Sequence, residues 1–195
     1  TETVSLLHTA GNAPDGSLIE RWVAADTPRI FKEPQMPAAY TCTARLLVST
    51  LSDWKELSRW YAALCEPRLA AVNDDIRKKV AELTDDGKLP REERLEALFR
   101  FVSRDIRYMG TMAEKEAPGY EPHDVSLTFS ERNGVCRDKA ALLVAMLRLA
   151  GIDAWPVLIH TDAKKDPCVP QPFFNHAIVA ADSLDPDNPY VLMDP

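Results

Sequence analysis

The stretch NGVCRDKAALL (Asn133–Leu143) decides the fold of this chain, because it places a cysteine at the start of a strongly apolar helix. Apolar residues run almost without interruption from Ala140 to Leu149, and Gly151 is well placed to end the helix. Gly134 would give the backbone freedom to turn before it. Unpaired N–H groups and the positive end of the helix dipole favour a thiolate there, which is the nucleophilic form of cysteine. The same N–H groups could receive an oxyanion, so Cys136 is a candidate nucleophile.

Two apolar segments downstream carry a histidine and an aspartate. Phe173–Ala180 predicts a buried strand with His176 near its start, and Pro189–Asp194 predicts a second strand that ends at Asp194. Neighbouring antiparallel strands packed on the cysteine helix would line up thiol, imidazole and carboxylate. In such a set the thiol passes its proton to the imidazole, and the carboxylate fixes the ring tautomer. The three residues are too far apart in sequence for a local motif, so only the fold can bring them together.

These blocks resemble the transglutaminase-like superfamily. The resemblance rests on GVCRDKA (Gly134–Ala140), NHA (Asn175–Ala177) and LMDP (Leu192–Pro195), and it is closest to a bacterial branch in which the core follows an N-terminal β-rich domain. It implies a papain-like cysteine fold in larger, often exported proteins. The residues themselves leave the location unknown, and the resemblance favours a periplasmic or exported one. Val135 departs from the branch, which more often carries an acidic residue before the cysteine.

The resemblance also implies roles for single residues. Cys136, His176 and Asp194 would be the catalytic residues, and Tyr108 matches the place of an upstream residue that helps to build the oxyanion site. Taken from the residues alone, Tyr108 could equally be a tyrosine packed on the core at the end of a helix. Asp138 most simply caps the helix that it begins. His123 is expected in an exposed loop.

Composition excludes several classes of function. A net charge of −7 and a pI near 5.1 argue against a nucleic-acid partner, which would need a basic surface. No apolar run approaches the ~18–20 residues of a membrane span. The 4 cysteines show neither a C-x-x-C motif nor zinc-ligand spacing, so we predict no metal site and no cofactor. The cysteines other than Cys136 are expected to be structural or incidental.

The 195 residues suffice for one good core with a smaller appended piece. Residues 1–50 are predicted to be the β-rich tail of a preceding domain plus a proline-bearing linker, with strands at Val4–Leu7, Leu18–Val23 and Leu46–Thr50. Residues 51–195 are predicted to be the transglutaminase-like core, truncated at its C-terminal end.

The core should have an α+β architecture, with a helical layer that carries the thiol packed on an antiparallel sheet that carries base and orienter. Helices are predicted after Ser52 or Asp53, over Val72–Leu83 and from Pro90 onward. The segment Tyr108–Arg132 is expected to be irregular, as a lid or cleft wall. Ala154–His160 is expected to be a central strand, although Pro156 indicates an irregular or edge start.

The predicted function is acyl transfer, in which the Cys136 thiolate attacks an amide or ester carbonyl of a peptide or protein. Water or an amine would resolve the acyl-enzyme, and hydrolysis is preferred because water is always present. A second hypothesis stays open, since folds also carry repurposed sites: a non-catalytic module that binds peptide or glycan within a larger exported protein. The chain lacks the P-loop, H-E-x-x-H and G-x-S-x-G motifs of other enzyme classes.

Overall fold

The computed structural model describes residues 6–25, 27, 29–31, 33–37, 43, 45–109 and 119–195. The chain divides into two compact units, Thr1–Val48 and Ser49–Pro195. That the first unit is the tail of a preceding domain, and that the second is truncated at its end, both stay predictions.

The first unit contains an antiparallel hairpin. Strand β1 (Leu6–Asn12) pairs with β2 (Leu18–Ala24), and the turn between them includes Gly16 at a φ of +84°. The predicted pair of strands is confirmed, but β1 reaches Asn12, and Val4 and Ser5 lie outside the described residues. The predicted strand at Leu46–Thr50 is wrong. Residues 46–50 do not form a strand with any part of the chain that the structure describes, and Val48 is 61% exposed.

The second unit begins with three helices, α1 (Trp54–Leu69), α2 (Asp74–Leu83) and α3 (Arg91–Asp105). Polar caps set the first two boundaries. The Asp53 carboxylate accepts the Glu56 N–H at 2.7 Å, and the Asn73 side chain accepts the Ile76 N–H at 3.0 Å. Helix α2 therefore starts two residues later than the apolar pattern suggested.

A short helix interrupts the segment that was expected to be irregular. Helix α4 (Val125–Glu131) lies between two-residue strands β3 (Arg107–Tyr108) and β4 (Asn133–Gly134), which pair in parallel. Because Tyr108 pairs with Gly134, this connection brings Tyr108 beside the start of the cysteine helix. Residues 110–118 lie outside the described part of the chain.

Helix α5 (Cys136–Leu149) lies at the centre of the core and contacts α1, α2, α3 and α4. Residues 138 to 147 are all buried, which explains the nearly continuous apolar sequence. Gly151 adopts a φ of +74° just after the helix, as predicted for a C-cap. Gly134 is needed for a different reason than a turn. A Cβ there would lie 2.7 Å from the Asp138 Cβ, so close packing on the first helical turn requires glycine.

A three-stranded antiparallel sheet completes the unit, in the order β5 (Ala154–Ile159), β6 (His176–Asp182) and β7 (Tyr190–Met193). The central strand is β6. The predicted strand around Pro156 is at the edge, where a residue without an N–H is tolerated. Side chains of Ala177 and Val179 belong to the core with α5, whereas His176 and Ala180 alternate onto the opposite face. The predicted α+β architecture is confirmed.

Candidate active site

The predicted nucleophile is the first residue of α5. The Cys136 thiol is free and half-buried, and its helix is anchored below it by a fully buried apolar stretch. At this position the first N–H groups of the helix have no partner within the helix. The local sequence therefore holds a thiol beside donors that are already oriented.

The predicted base and orienter are in direct contact. The Nε2 atom of His176 lies 2.9 Å from both Oδ1 and Oδ2 of Asp194. This contact follows from the strand register: Val179 pairs with Met193, so the pairing continued by one residue puts Asp194 opposite Ile178, on the face that carries His176. Because Nε2 faces an acceptor-only carboxylate, it carries the ring proton, and Nδ1 is the nitrogen left to accept one.

Tyr108 interacts with Cys136 and lies within electrostatic range of Asp194. Its side chain is 60% exposed overall, but its hydroxyl interacts with both the thiol and the backbone N–H of Cys136. Burial of the hydroxyl, followed by the negative charge of Cys136, raises the pKa of Tyr108, and the charge of Asp194 adds to the rise. The pKa of this one hydroxyl thus depends on both Cys136 and Asp194. A tyrosine that stays protonated here remains a hydrogen-bond donor.

A buried lysine lies within electrostatic range of Asp194. Lys139 is 4% exposed, and its ammonium group is 3.5 Å from the Ser103 carbonyl oxygen. Burial lowers the pKa of Lys139, while the charge of Asp194 acts in the opposite direction. The Asp194 carboxylate therefore has a positive charge in its surroundings, in addition to the imidazole. The sequence analysis had assigned no role to Lys139.

His123 is not in an exposed loop, and this expectation is wrong. Its side chain is 4% exposed, and both its backbone N–H and its Nδ1 bond to Oδ1 of Asp138, at 2.9 and 3.0 Å. The other oxygen of Asp138 accepts the Val135 N–H at 3.0 Å, which confirms the capping role predicted for this aspartate. One buried carboxylate thus joins the upstream loop to the residue before Cys136. No periodic pattern surrounds His123 in the sequence, so nothing there indicated its burial.

Aromatic side chains surround the approach to His176. Tyr120 lies 6.0 Å from Phe174 and 6.2 Å from Trp60 in edge-to-face contacts, and its hydroxyl accepts the Phe174 N–H at 3.2 Å. Trp54 in turn lies 6.4 Å from Phe174. These rings hold the loop after residue 119 against the segment that leads into β6. The segment before His176 is therefore fixed by packing.

The other described cysteines differ from Cys136. Cys65 is fully buried beside the Tyr61 hydroxyl, and burial raises the pKa of its thiol to about 11. Cys168 is free and exposed, while Cys42 lies outside the described residues. Among the residues that the structure describes, no group of three or more histidine, cysteine or acidic side chains could hold a metal ion. In the same part of the chain, no helix is long and apolar enough to cross a bilayer.

A family model described as the transglutaminase-like superfamily matches residues 77–195. The chain belongs to the transglutaminase-like superfamily. The matched range contains Tyr108, Cys136, His176 and Asp194, and it begins inside α2, so that the superfamily core includes the last helices and the whole sheet. The resemblance drawn from the three sequence blocks is thereby confirmed at the level of the superfamily.

A solved structure from Parabacteroides distasonis, described as a candidate protease, has a similar fold. The TM-score is 0.62 at 18% sequence identity, and the alignment covers 98% of this chain but 36% of the other. At this identity the likeness shows the fold alone. This chain therefore spans little more than a third of the length of that protein. No curated protein matches the chain.

Proposed function

We propose that the chain is a cysteine-dependent acyltransferase that acts on an amide bond of a peptide or protein, with Cys136 as nucleophile, His176 as base and Asp194 as orienter. The observation that carries the proposal is the contact of His176 Nε2 with both oxygens of Asp194 at 2.9 Å. It leaves Nδ1 as the basic nitrogen, and Cys136 at the start of α5 would supply the thiol that gives it a proton. Membership of a superfamily with a cysteine-protease-like fold supports the same assignment.

In the first step the Cys136 thiol gives its proton to His176 Nδ1, and the thiolate sulfur forms a bond to the carbonyl carbon of the amide. The carbonyl π electrons move to the oxygen. Collapse of this tetrahedral species breaks the C–N bond, and the His176 imidazolium gives its proton to the leaving amine. The product is a thioester on Cys136, while Asp194 stabilises the imidazolium throughout.

The oxyanion would be held by the Cys136 N–H and by Tyr108. Its hydroxyl interacts with this N–H and with the thiol, which supports its assignment as a donor to the negative oxygen. Its raised pKa keeps the proton available at neutral pH. The pairing of Tyr108 with Gly134 holds the backbone of Tyr108 beside the start of the cysteine helix, so both donors are near each other before the reaction.

Water or an amine then attacks the thioester carbonyl while His176 accepts its proton, and the C–S bond breaks to release the acyl product and return the Cys136 thiolate beside a protonated His176. We propose hydrolysis as the main outcome, because water reaches a half-buried thiol without a dedicated acceptor site. The test is to incubate the chain with the activated ester p-nitrophenyl acetate and with a glutamine-bearing peptide, then to look for a thioester on Cys136 by mass spectrometry. Adding dansylcadaverine measures how much acyl group passes to an amine instead of water.

Cys136→Ser is the negative control, and Cys168→Ser, which removes an exposed thiol, is the matched positive control. The proposal predicts a thioester in wild type and Cys168→Ser and its loss in Cys136→Ser. If no acyl group accumulates or turns over on Cys136 with any donor, the proposal fails. The second hypothesis, a non-catalytic peptide- or glycan-binding module, would then be favoured.

A further inference from the structure

A cavity of about 740 Å³ lies between α1 and the sheet. This volume is in the range of sites that enclose small molecules or several side chains. Its walls are mainly apolar and aromatic, and they include Trp54, Leu57, Tyr61, Trp155, Phe174 and Leu192. None of the roles proposed above requires this cavity.

The floor of the cavity belongs to the same sheet face as the base and the orienter. Ala180 and Leu192, which line it, are paired across β6 and β7. Because side chains alternate along a strand, Ala180 shares a face with His176, four residues earlier, and Leu192 shares it with Asp194. The cavity is therefore continuous with the strand surface that presents the proposed catalytic residues.

Two further lining residues are close to the proposed catalytic residues, one in sequence and one through a charge effect. Phe174 lies two residues before His176 on the segment that enters β6. Burial raises the pKa of Tyr61, and Cys65 adds to the rise. The negative charge of Cys136 makes a further, smaller contribution to the pKa of Tyr61. A peptide whose carbonyl carbon meets Cys136 would thus have a neighbouring side chain within reach of these walls.

Several apolar lining side chains face solvent. Trp155 is 43% exposed, Tyr190 is 56% exposed and Leu192 is 64% exposed, and the Trp155 and Tyr190 rings meet edge to face at 5.9 Å. Rigid aromatic groups that remain exposed contribute strongly to recognition, because covering them removes a large apolar area from water. These groups favour a bulky apolar ligand group.

The rim of the cavity is positively charged, in a chain whose net charge is −7. Arg59 and Lys165 both line it and are exposed, and the Lys165 ammonium lies 5.2 Å from the Trp54 ring centre. The acidic lining residue, Glu66, is already paired with Arg148 at 3.0 Å. Two cations at an apolar opening complement an acidic ligand.

We propose that this cavity is a substrate-specificity site that takes a bulky apolar side chain of an acidic peptide, beside the acyl group that Cys136 would attack. The inference rests on the proposed function for its link to catalysis, but binding itself does not depend on the thiol. The cavity supplies the apolar contact, and Arg59 and Lys165 supply the attraction for the carboxylates that flank it.

The test is a binding experiment on the whole 195-residue chain that carries Cys136→Ala, so that no chemistry interferes. The blocked tripeptides acetyl-DFD-amide, acetyl-DAD-amide and acetyl-KFK-amide are titrated while the four tryptophan indole N–H signals are followed by NMR. We expect acetyl-DFD-amide to shift the signals of Trp54 and Trp155 in a saturable way, because both side chains line the cavity. Each of the other two peptides should bind at least about tenfold more weakly, because one lacks the apolar contact and the other the charge complementarity.

The chain offers a matched pair of variants for the same titration. Ala62→Phe fills the cavity from α1, whereas Ala63→Phe adds the same ring at the next, exposed position, outside the lining. Ala62→Phe should weaken acetyl-DFD-amide binding at least tenfold, and Ala63→Phe should leave it unchanged. Equal affinity in both variants, or equal affinity for all three peptides, would overturn the proposal.

Failure of this site and failure of the proposed function give different results. Peptide binding in Cys136→Ala with no thioester in the wild-type chain would support the cavity and reject catalysis. A thioester on Cys136 together with no preference for the apolar peptide would support catalysis and reject the cavity as a specificity site.

Discussion

His176 and Asp194 are in direct contact across the sheet, with Nε2 of the ring 2.9 Å from each carboxylate oxygen. The contact spans two strands and 18 residues of sequence. It orients the ring so that its second nitrogen is the one available to a thiol. The proposed mechanism depends on this orientation more than on any other single feature.

Removing the Asp194 carboxylate should therefore impair catalysis. Asp194→Ala frees the ring and removes the charge that stabilises the imidazolium, so we expect acylation of Cys136 to slow by about 10²–10⁴-fold. Asp194→Asn should fall between wild type and alanine, because an amide oxygen can still accept the Nε2 proton. Rates of thioester formation measure the effect. Asp187→Ala, in the exposed turn before β7, is the control that should change nothing. An Asp194→Ala rate equal to that of wild type would contradict the assigned role.

Tyr108 should act on the oxyanion and hardly on stability. Because its side chain is 60% exposed, Tyr108→Phe should change the free energy of unfolding by less than about 0.5 kcal/mol. Loss of the hydroxyl donor should slow acylation by about 10–10²-fold. Alkylation by iodoacetamide forms no oxyanion and serves as the internal control, which should change less. A normal acylation rate in Tyr108→Phe would contradict the role of the Tyr108 hydroxyl in holding the oxyanion.

The Asp138 carboxylate should be a major contributor to stability. Asp138→Ala leaves the His123 ring and two backbone N–H groups buried without their acceptor, so we expect a loss of about 3–5 kcal/mol in the free energy of unfolding. Urea denaturation measures it. Asp124→Ala breaks a partly exposed pair with Arg68 and should cost less than about 1 kcal/mol. A similar loss of unfolding free energy in the two variants would show that the buried contact of His123 with Asp138 stabilises the fold no more than a surface ion pair does.

Cys65 should make stability fall at alkaline pH. Burial raises the pKa of Cys65 to about 11, so between the ordinary thiol range and that value the folded chain holds a proton that the unfolded chain has lost. This contribution is complete below the unfolded pKa of ~8.5 and disappears as the pH rises through 11; its size is on the order of 2 kcal/mol. Urea denaturation at about pH 8 and about pH 10.5 should show a larger fall for wild type than for Cys65→Ala. The cavity left by the alanine costs the same at both pH values and cancels. Equal falls would mean that Cys65 ionises freely.

The elements that carry His176, Asp194 and Cys136 could be predicted from the sequence, because apolar residues in strands and helices repeat at short intervals. An apolar strand that begins near His176 and a second that ends at Asp194, joined by a turn, allow few pairings, and the observed register puts both side chains on one face. The cysteine helix was recognisable from its unbroken apolar run and its terminal glycine. In each case local sequence and tertiary packing favour the same structure.

Other features depended on contacts that sequence periodicity does not carry. The burial of His123 results from one carboxylate on a different element, and helix α4 is too short to give a periodic signal. Pro156 indicated an edge position for β5, but the apolar composition of the strand led us to expect a central one. The structure puts β5 at the edge of the sheet, so that expectation is wrong. The predicted strand at Leu46–Thr50 had suitable residues but pairs with none of the described strands. Pairing and burial are decided by the whole fold, so these outcomes lay beyond a local pattern.

The most direct test of the central claim is the pH dependence of Cys136 alkylation by iodoacetamide, measured in a Cys42→Ser, Cys168→Ser background with and without His176→Ala. If thiol and imidazole form an ion pair, the alkylation rate of the protein that retains His176 stays substantial near pH 6, and His176→Ala lowers it there by at least about tenfold. If the two rates instead rise together with the ionisation of a free thiol near pH ~8.5, Cys136 and His176 do not work as a pair, and the proposed acyl transfer is contradicted.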